Sequence, residues 1–254
     1  MRDPRVSDNV TVAGLNGSVN CTRWIPRASA VSAVIAAAAL LSACVSTVEG
    51  TASRQSPDPT MVNVPPLDEA DLDDVLLSIR ELNRIVGSTQ MKVTSDLREM
   101  TDHSEDVSDP DCLAAVYGAE EPVYEGTDWT AVRDQVAREL DDDNDHWVEQ
   151  TAVLYPAAAN AQDFFDSSSA AWQACANNAV EVADGDYLWD LEDVDVEDTM
   201  IVQTASQTGA GGWACQHALS LVSNLTVEAW ACGYSISDEA EQIASAMIEN
   251  AAGK

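Results

Sequence analysis

The stretch WACQHALSLVSNLTVEAWACGY, residues 213–234, decides the fold of this chain. It contains two apolar runs on either side of Ser223 and Asn224, two residue types that favour turns. Two such runs around a short turn predict an antiparallel β-hairpin, in which residues pair symmetrically about the turn. The predicted strands are Trp213 to Val222 and Leu225 to Tyr234.

The register of this hairpin predicts how its two cysteines pair. Symmetric pairing places Cys215 opposite Cys232, at a position between the hydrogen-bonded pairs of the ladder. Cα atoms at such a position approach to about 4.5 Å, which is within the range of a disulfide. We therefore expect this disulfide, with two further pairs on the same face, Trp213 with Tyr234 and His217 with Trp230.

Segments outside the hairpin predict helices and further strands. An apolar stripe at i, i+3, i+4 and i+7 spacing indicates one helix from Leu72 to Val86, with Gly87 as its C-terminal cap. A second helix follows Tyr155-Pro156 and ends near Cys175, and a last one begins near Ser237. The strand candidates are Trp129 to Val136, His146 to Leu154, Asn178 to Val182, Tyr187 to Trp189 and Met200 to Thr204. This order predicts an α+β fold, an antiparallel sheet with packed helices in a single domain.

The N-terminal part of the chain carries an export pattern. Arg23 and Arg27 precede a run of small and aliphatic residues, 28–41, which is too short to be a comfortable membrane span. The run ends in Leu41-Ser42-Ala43-Cys44, which resembles the bacterial lipobox. In that signal the chain is cut before the cysteine, whose thiol takes a diacylglycerol that carries acyl chains such as palmitate. The alternative is an ordinary secretory signal that ends in cysteine.

Three segments follow from this pattern. Residues 1–43 are predicted to be a lipoprotein signal peptide with a long N-terminal lead, 44–66 a lipidated tether rich in Ser, Thr and Pro, and 67–254 the folded domain. The predicted location is the extracytoplasmic face of the cell membrane, held by lipid on Cys44. About 190 residues is a usual size for one domain.

The charge of the chain restricts its partners. The formal net charge is −32 at pH 7, so its surface repels nucleic acid and anionic lipid. Such a surface suits solubility at high charge, cationic partners or divalent ions. Asp141, Asp143 and Asp145 imitate the start of a calcium loop, but His146 replaces the required glycine and Ala152 the final glutamate. We expect no metal and no cofactor.

The remaining cysteines predict a second disulfide. With Cys21 discarded in the signal peptide, Cys44 lipidated and Cys215 paired with Cys232, Cys112 and Cys175 are left to each other. An exported location favours disulfides. A zinc site or a catalytic thiol is the alternative, although the chain has no C-x-x-C pair and its three histidines are scattered.

In this order of motifs the chain resembles the PknH-type extracellular sensor domain of mycobacteria and related actinobacteria. That domain occurs on a serine/threonine kinase and alone in small lipoproteins. The matching features are the first helix ending at Val86-Gly87, Asp109-Pro110-Asp111-Cys112, Val123-Tyr124 with Trp129, Tyr155-Pro156 with the helix to Trp172 and Cys175, Trp213-Ala214-Cys215-Gln216, Asn224, and Cys232-Gly233 before a terminal helix.

The resemblance implies a single α+β domain with the two disulfides above and a central cleft for an unidentified ligand. This chain departs from the family in its strongly acidic loops. Aromatic and amide residues are the candidates for lining the cleft, with core packing as the alternative role for each: Tyr124, Trp172, Trp213, Gln216 and Asn224.

The predicted function is ligand binding by a sensor-like, membrane-anchored lipoprotein that is not an enzyme. Its partner would be a small ligand or an envelope component. The chain has no kinase motif, no G-x-S-x-G, no H-E-x-x-H and no P-loop. One alternative is an envelope hydrolase using a carboxylate pair. The other is a structural envelope protein that binds cations or a basic partner.

Overall fold

The computed structural model describes residues 64–140 and 144–253, all within one compact unit that spans Gln55–Lys254. The predicted signal peptide, Cys44 and most of the tether lie outside the described residues, as do Asp141 and Asp143 of the calcium-like loop. The helices are α1 (Leu72–Val75), α2 (Ile79–Val86), α3 (Leu113–Val116), α4 (Glu121–Tyr124), α5 (Ala158–Cys175) and α6 (Glu239–Ala252). The strands are β1 (Lys92–Leu97), β2 (Ala131–Arg138), β3 (His146–Leu154), β4 (Ala179–Val182), β5 (Tyr187–Glu197), β6 (Met200–Gln207), β7 (Ala214–Val222) and β8 (Leu225–Gly233).

The eight strands form one antiparallel sheet in the order β1-β2-β3-β8-β7-β6-β5-β4. The predicted hairpin, β7 and β8, occupies the centre of this sheet. It pairs with β3 on one side and with β6 on the other. The α+β fold class and the antiparallel sheet are therefore confirmed.

The hairpin has the register that its sequence predicts. Cys215 lies opposite Cys232 and is bonded to it, with the Cα atoms 4.0 Å apart. The second predicted bridge, Cys112–Cys175, is also present, with a Cα–Cα distance of 5.6 Å. It ties the end of α5 to the turn that precedes α3. Both disulfide predictions are confirmed.

One face of the sheet, here called the covered face, packs against α1, α2 and α6. Its strand residues are small or aliphatic and alternate with residues of the other face, as pleating requires. They meet the apolar stripe of α6 in one continuous core. The strand residues are Ala137, Val148, Ala152, Leu154, Ala218, Leu225, Val227, Ala229 and Ala231, and the buried α6 residues are Ala240, Ile243, Ala244, Met247 and Ala251.

The opposite face, here called the cavity face, is covered over only part of its area. Helix α5 packs Phe164, Phe165 and Trp172 into a second core with strand residues such as Ile201 and Leu219. Short helices α3 and α4 complete this cover. Beyond them the face opens into a cavity.

The structure differs from two predicted elements and contains one strand that was not predicted. The first predicted helix is two helices, because Leu76 is extended and Ser78 starts α2 with a capping box to Glu81. The break is held by Gln150 of β3, whose side-chain amide exchanges hydrogen bonds of 2.8 and 2.9 Å with the Leu77 backbone. Strand β1 was not predicted, and β5 is longer than predicted.

Candidate ligand-binding cavity

The cavity face contains a cavity of about 620 Å³. Every strand of the sheet contributes to its lining, and its sides are formed by the chain around Thr101–Glu120 and the β4–β5 turn. The lining combines aromatic rings with polar and acidic groups. The aromatic residues are His103, Tyr117, Trp147, Tyr187, Trp189, Trp213 and Trp230, and the polar residues are Ser95, Thr101, Glu120, Asp134, Asn144, Glu149 and Gln207.

Four indoles and a disulfide form an apolar floor. Trp230 and the Cys215–Cys232 bridge are buried together, and three half-buried indoles pack against them, those of Trp147, Trp189 and Trp213. The strand register explains this cluster, because Trp147 lies opposite Cys232 on the neighbouring strand. The half-buried rings leave apolar surface available to a bound molecule.

An acidic pair lies beside this floor. Asp134 of β2 and Glu149 of β3 are diagonal neighbours on the cavity face. Asp134 accepts a hydrogen bond of 2.7 Å from the Thr151 hydroxyl. Burial raises the pKa of both carboxyl groups, and the charge of Asp134 raises the pKa of Glu149 further. Glu149 is therefore the member of the pair that keeps a proton more readily, and its carboxyl group is placed to donate a hydrogen bond to Asp134.

Glu120 is a third buried acid of the cavity, and its carboxylate is fully partnered. It accepts hydrogen bonds from the Thr101 hydroxyl at 2.9 Å and from the His103 backbone N–H at 2.6 Å. The His103 ring nitrogen Nδ1 lies 2.5 Å from its other side, and this ring stacks on Tyr117. These contacts fix one side of the cavity.

Three aromatic rings pack in a column that ends at Trp230 of the apolar floor. The His217 ring lies between Trp172 and Trp230, with ring centroids 3.9 Å apart on each side. Burial lowers the pKa of His217, so the ring is neutral near pH 7. Its Nε2 lies 3.0 Å from Glu228, which also accepts a hydrogen bond of 2.9 Å from the Tyr124 hydroxyl. The column holds the Trp230 ring in place.

Two buried polar atoms in the cavity have no partner within the described part of the chain. They are Nε1 of Trp230, whose residue is 5% exposed, and Oδ1 of Asn144. Gly118 allows the Trp230 N–H to lie near the acidic pair. A Cβ there would stand 3.3 Å from Trp230 Nε1 and 3.1 Å from Glu149 Oε1. Buried polar groups are rarely left unpaired, so these two atoms distinguish this part of the cavity.

Of the five residues predicted to line a cleft, the structure places only Trp213 in this cavity. Tyr124 and Trp172 belong to the core beneath α5 and α4. Gln216 points to the covered face, where it accepts a 2.9 Å hydrogen bond from the Ala240 N–H at the start of α6. It also donates to the Ser237 carbonyl. Core packing, the alternative role, describes these three side chains.

Asn224 is the fifth predicted residue and also lies outside the cavity lining. Its amide exchanges hydrogen bonds with the Leu67 backbone at 2.8 and 3.1 Å and donates to the Tyr155 carbonyl at 2.9 Å. It thus fixes the start of the domain to the tip of the central hairpin. Its amide group therefore stabilises the fold and does not face the cavity.

Sequence reasoning missed most of the lining, above all Asp134 and Glu149. The available signal was the position of Glu149 on a mainly apolar strand face, which it shares with Trp147, Thr151 and Val153.

Among the described residues no group of three or more His, Cys, Asp or Glu side chains could hold a metal ion. In the same residues, no helix has the length and apolar character needed to cross a membrane.

Comparison with known proteins gives consistent matches. Residues 67–250 match the family described as PknH-like extracellular domain. Serine/threonine-protein kinase PknH of Mycobacterium bovis is 36% identical over 186 residues, which are 72% of this chain and 31% of the kinase. The kinase of the same name from Mycobacterium tuberculosis is also 36% identical, over 30% of its length. The chain therefore spans under a third of these relatives.

A solved structure matches the whole domain. The crystal structure of the extracellular domain of PknH from Mycobacterium tuberculosis superposes with a TM-score of 0.71 at 34% sequence identity. The match covers 75% of this chain and 99% of that domain. The resemblance therefore extends over the complete extracellular domain.

Proposed function

Because the chain belongs to the family of PknH-like extracellular domains, we propose that it is a sensor-like, ligand-binding lipoprotein on the extracytoplasmic face of the membrane. The ligand site is the cavity on the cavity face, and the protein is not an enzyme. The observation that carries this proposal is the cavity itself, with its apolar floor, its acidic side and two unpaired polar atoms.

The cavity has the size and chemistry of a small-molecule site. Its volume of about 620 Å³ lies in the middle of the range of about 300–1,000 Å³ that is usual for ligand pockets. Such pockets are mainly apolar, with a few convergent polar groups that orient the ligand. The four indoles supply the first feature, and Asp134, Glu149 and Asn144 supply the second.

Lipid on Cys44 is the proposed anchor. The short apolar run 28–41 and the lipobox-like Leu41-Ser42-Ala43-Cys44 support it. Two acyl chains hold a protein on a membrane far more firmly than one. We expect Cys44→Ala to release the protein from the membrane fraction, as measured by detergent partitioning and sedimentation. Wild-type partitioning of this variant would refute the anchor.

Thermal-shift screening of the full chain in detergent tests ligand binding. A chemically diverse panel should include neutral oligosaccharides, quaternary ammonium compounds, short peptides and nucleosides. We expect at least one class to raise the melting temperature in a saturable manner. The increase should be smaller in Trp230→Phe, a cavity variant, and unchanged in Trp129→Phe, whose ring lies outside the cavity lining. No shift with any class would refute the proposal.

A second candidate function is a hydrolase that uses the Asp134–Glu149 pair. The observation in its favour is that two hydrogen-bonded carboxyl groups with raised pKa values lie beside a cavity, an arrangement comparable to the aspartic-protease dyad. Glycosidases keep their two carboxyl groups about 5–9.5 Å apart, and a directly hydrogen-bonded pair does not have that separation. Mass spectrometry of the screened compounds would detect a product, and Glu149→Gln would abolish it if the pair were catalytic.

A further inference from the structure

The unpaired atoms of the cavity define what a ligand must supply. The Trp230 N–H is a donor without an acceptor among the described residues, and Asn144 Oδ1 is an acceptor without a donor among them. Trp230 is more than nine-tenths buried and held by the stacked His217 ring. A ligand that pairs both atoms must therefore both accept and donate hydrogen bonds.

The charges around the cavity favour a neutral ligand. None of the described residues that line it is Lys or Arg, so no such cation is there to pair with an anion, and the carboxylates would repel it. The acids, in turn, are already partnered. Glu120 is paired with Thr101 and His103, and Asp134 with Thr151 and Glu149. A cation that sought direct hydrogen bonds to these carboxylates would have to compete with these contacts.

The floor favours a ligand with flat apolar C–H faces. Indole rings carry negative charge on their faces, so they attract the weakly positive C–H groups of a pyranose ring. Trp147, Trp189 and Trp213 are half-buried and leave ring surface facing the cavity. A sugar ring presents such a face on one side and hydroxyl groups around its rim, and each hydroxyl both donates and accepts.

We propose that the cavity binds a neutral carbohydrate, whose ring stacks on the indole floor while one hydroxyl accepts from Trp230 Nε1 and another donates to Asn144 Oδ1. This inference rests on the proposed function, since it names the ligand of the same cavity. The Asp134–Glu149 pair lies beside the floor. The sugar is bound and not cleaved.

An array of neutral oligosaccharides, probed with the full chain in detergent, tests the ligand class. The best binders are then titrated by tryptophan fluorescence, with matched uronic-acid oligosaccharides as anionic counterparts and tetramethylammonium as a cation. We expect saturable fluorescence changes with neutral sugars and at least tenfold weaker binding of the uronates. Preferred binding of tetramethylammonium, or of a peptide from the thermal-shift panel, would overturn the carbohydrate and leave the proposed function intact.

Three single substitutions test the geometry. Trp230→Phe keeps an aromatic ring and removes the N–H, so affinity for the sugar should fall about 3- to 10-fold, the usual effect of one neutral hydrogen bond. Asn144→Ala should lower affinity by a similar factor, and Trp129→Phe should not change it. Unfolding curves show whether each variant is folded. Unchanged affinity in folded Trp230→Phe and Asn144→Ala would overturn the assignment, as would the absence of any neutral sugar ligand.

Discussion

The two faces of the sheet differ in what their side chains do. On the covered face, alanines and aliphatic residues let α6 pack closely, and its polar side chains, such as Gln150 and Gln216, bond to backbone groups. On the cavity face, part of the area packs beneath α5, and the rest bears acids and indoles around a cavity. The two-residue alternation of the strands thus separates a face that mainly stabilises the fold from the face that bears the proposed ligand cavity.

The largest expected effect concerns the disulfides. Replacing Cys112 and Cys175 together by Ala should lower the free energy of unfolding by about 4 kcal/mol, and replacing Cys215 and Cys232 by about 3 kcal/mol, because the first pair closes the longer loop. Denaturant unfolding measures both. Only loss of the second pair, which lies in the cavity floor, should also weaken ligand binding, and equal weakening by both would break the division between regions.

Removing a buried side chain from the core of the covered face should also lower the stability. Ile243→Ala removes a fully buried side chain of α6, so the free energy of unfolding should fall by roughly 2–5 kcal/mol. Ser245→Ala, an exposed change on the same helix, is the control and should stay within about 0.5 kcal/mol. Ligand affinity of the folded Ile243→Ala protein should equal that of wild type. Weaker binding would show that the covered face shapes the site.

The acidic pair on the cavity face predicts that the stability of the protein depends on pH. The raised pKa of Glu149 means that the folded state keeps a proton which the unfolded state releases above the ordinary glutamate pKa of 4.5. Its contribution to stability therefore decreases as pH rises from that value towards the folded pKa. Glu149→Gln keeps the hydrogen-bond donor without the titration, so its melting temperature should exceed that of wild type increasingly from about pH 5 to 8.

The variant also serves as the internal control for other titrating groups. His217 has a lowered pKa, so its contribution decreases as pH falls below its unfolded value of 6.5, and this slope is common to both proteins. The difference in melting temperature between wild type and Glu149→Gln isolates the Asp134–Glu149 pair. A difference that stays constant with pH would contradict the raised pKa.

The smallest expected effect on stability is that of Trp213→Phe. The Trp213 ring is half-buried at the cavity and makes an edge contact with the exposed Tyr234. The free energy of unfolding should change by less than about 1 kcal/mol, while ligand affinity decreases. A large loss of stability would show that the floor belongs to the core as much as to the site.

Local patterns in the sequence predicted the central part of the fold. The hairpin register followed from symmetry about Ser223-Asn224, and both disulfides and the sensor-domain family were confirmed. Strand β1 was missed because Lys92–Leu97 is a polar edge strand with little apolar alternation. The break in the first helix was missed because it depends on Gln150, a residue 73 positions away in the chain.

The site was less predictable than the fold. Trp213 was identified because it flanks the hairpin, but the acids were not, since the chain has 44 Asp and Glu residues. Only the assembled sheet brings Asp134 beside Glu149 and shows that Asp134 is buried and Glu149 half-buried at the cavity. Gln216 and Asn224 were predicted to line the cleft because amide side chains can bind ligands. In the structure both amides form hydrogen bonds with backbone groups instead. Long-range contacts, absent from local patterns, decide these roles.

Oxidative footprinting of tryptophan side chains by mass spectrometry tests the central claim most directly. The full chain is labelled with and without a saturating amount of the neutral oligosaccharide that binds best. Our account predicts ligand-dependent protection of the cavity residues Trp147, Trp189 and Trp213, and no change at Trp129, which does not line the cavity. Protection at Trp129 alone, or equal labelling of all tryptophans with and without bound sugar, would contradict the assignment of binding to the cavity face.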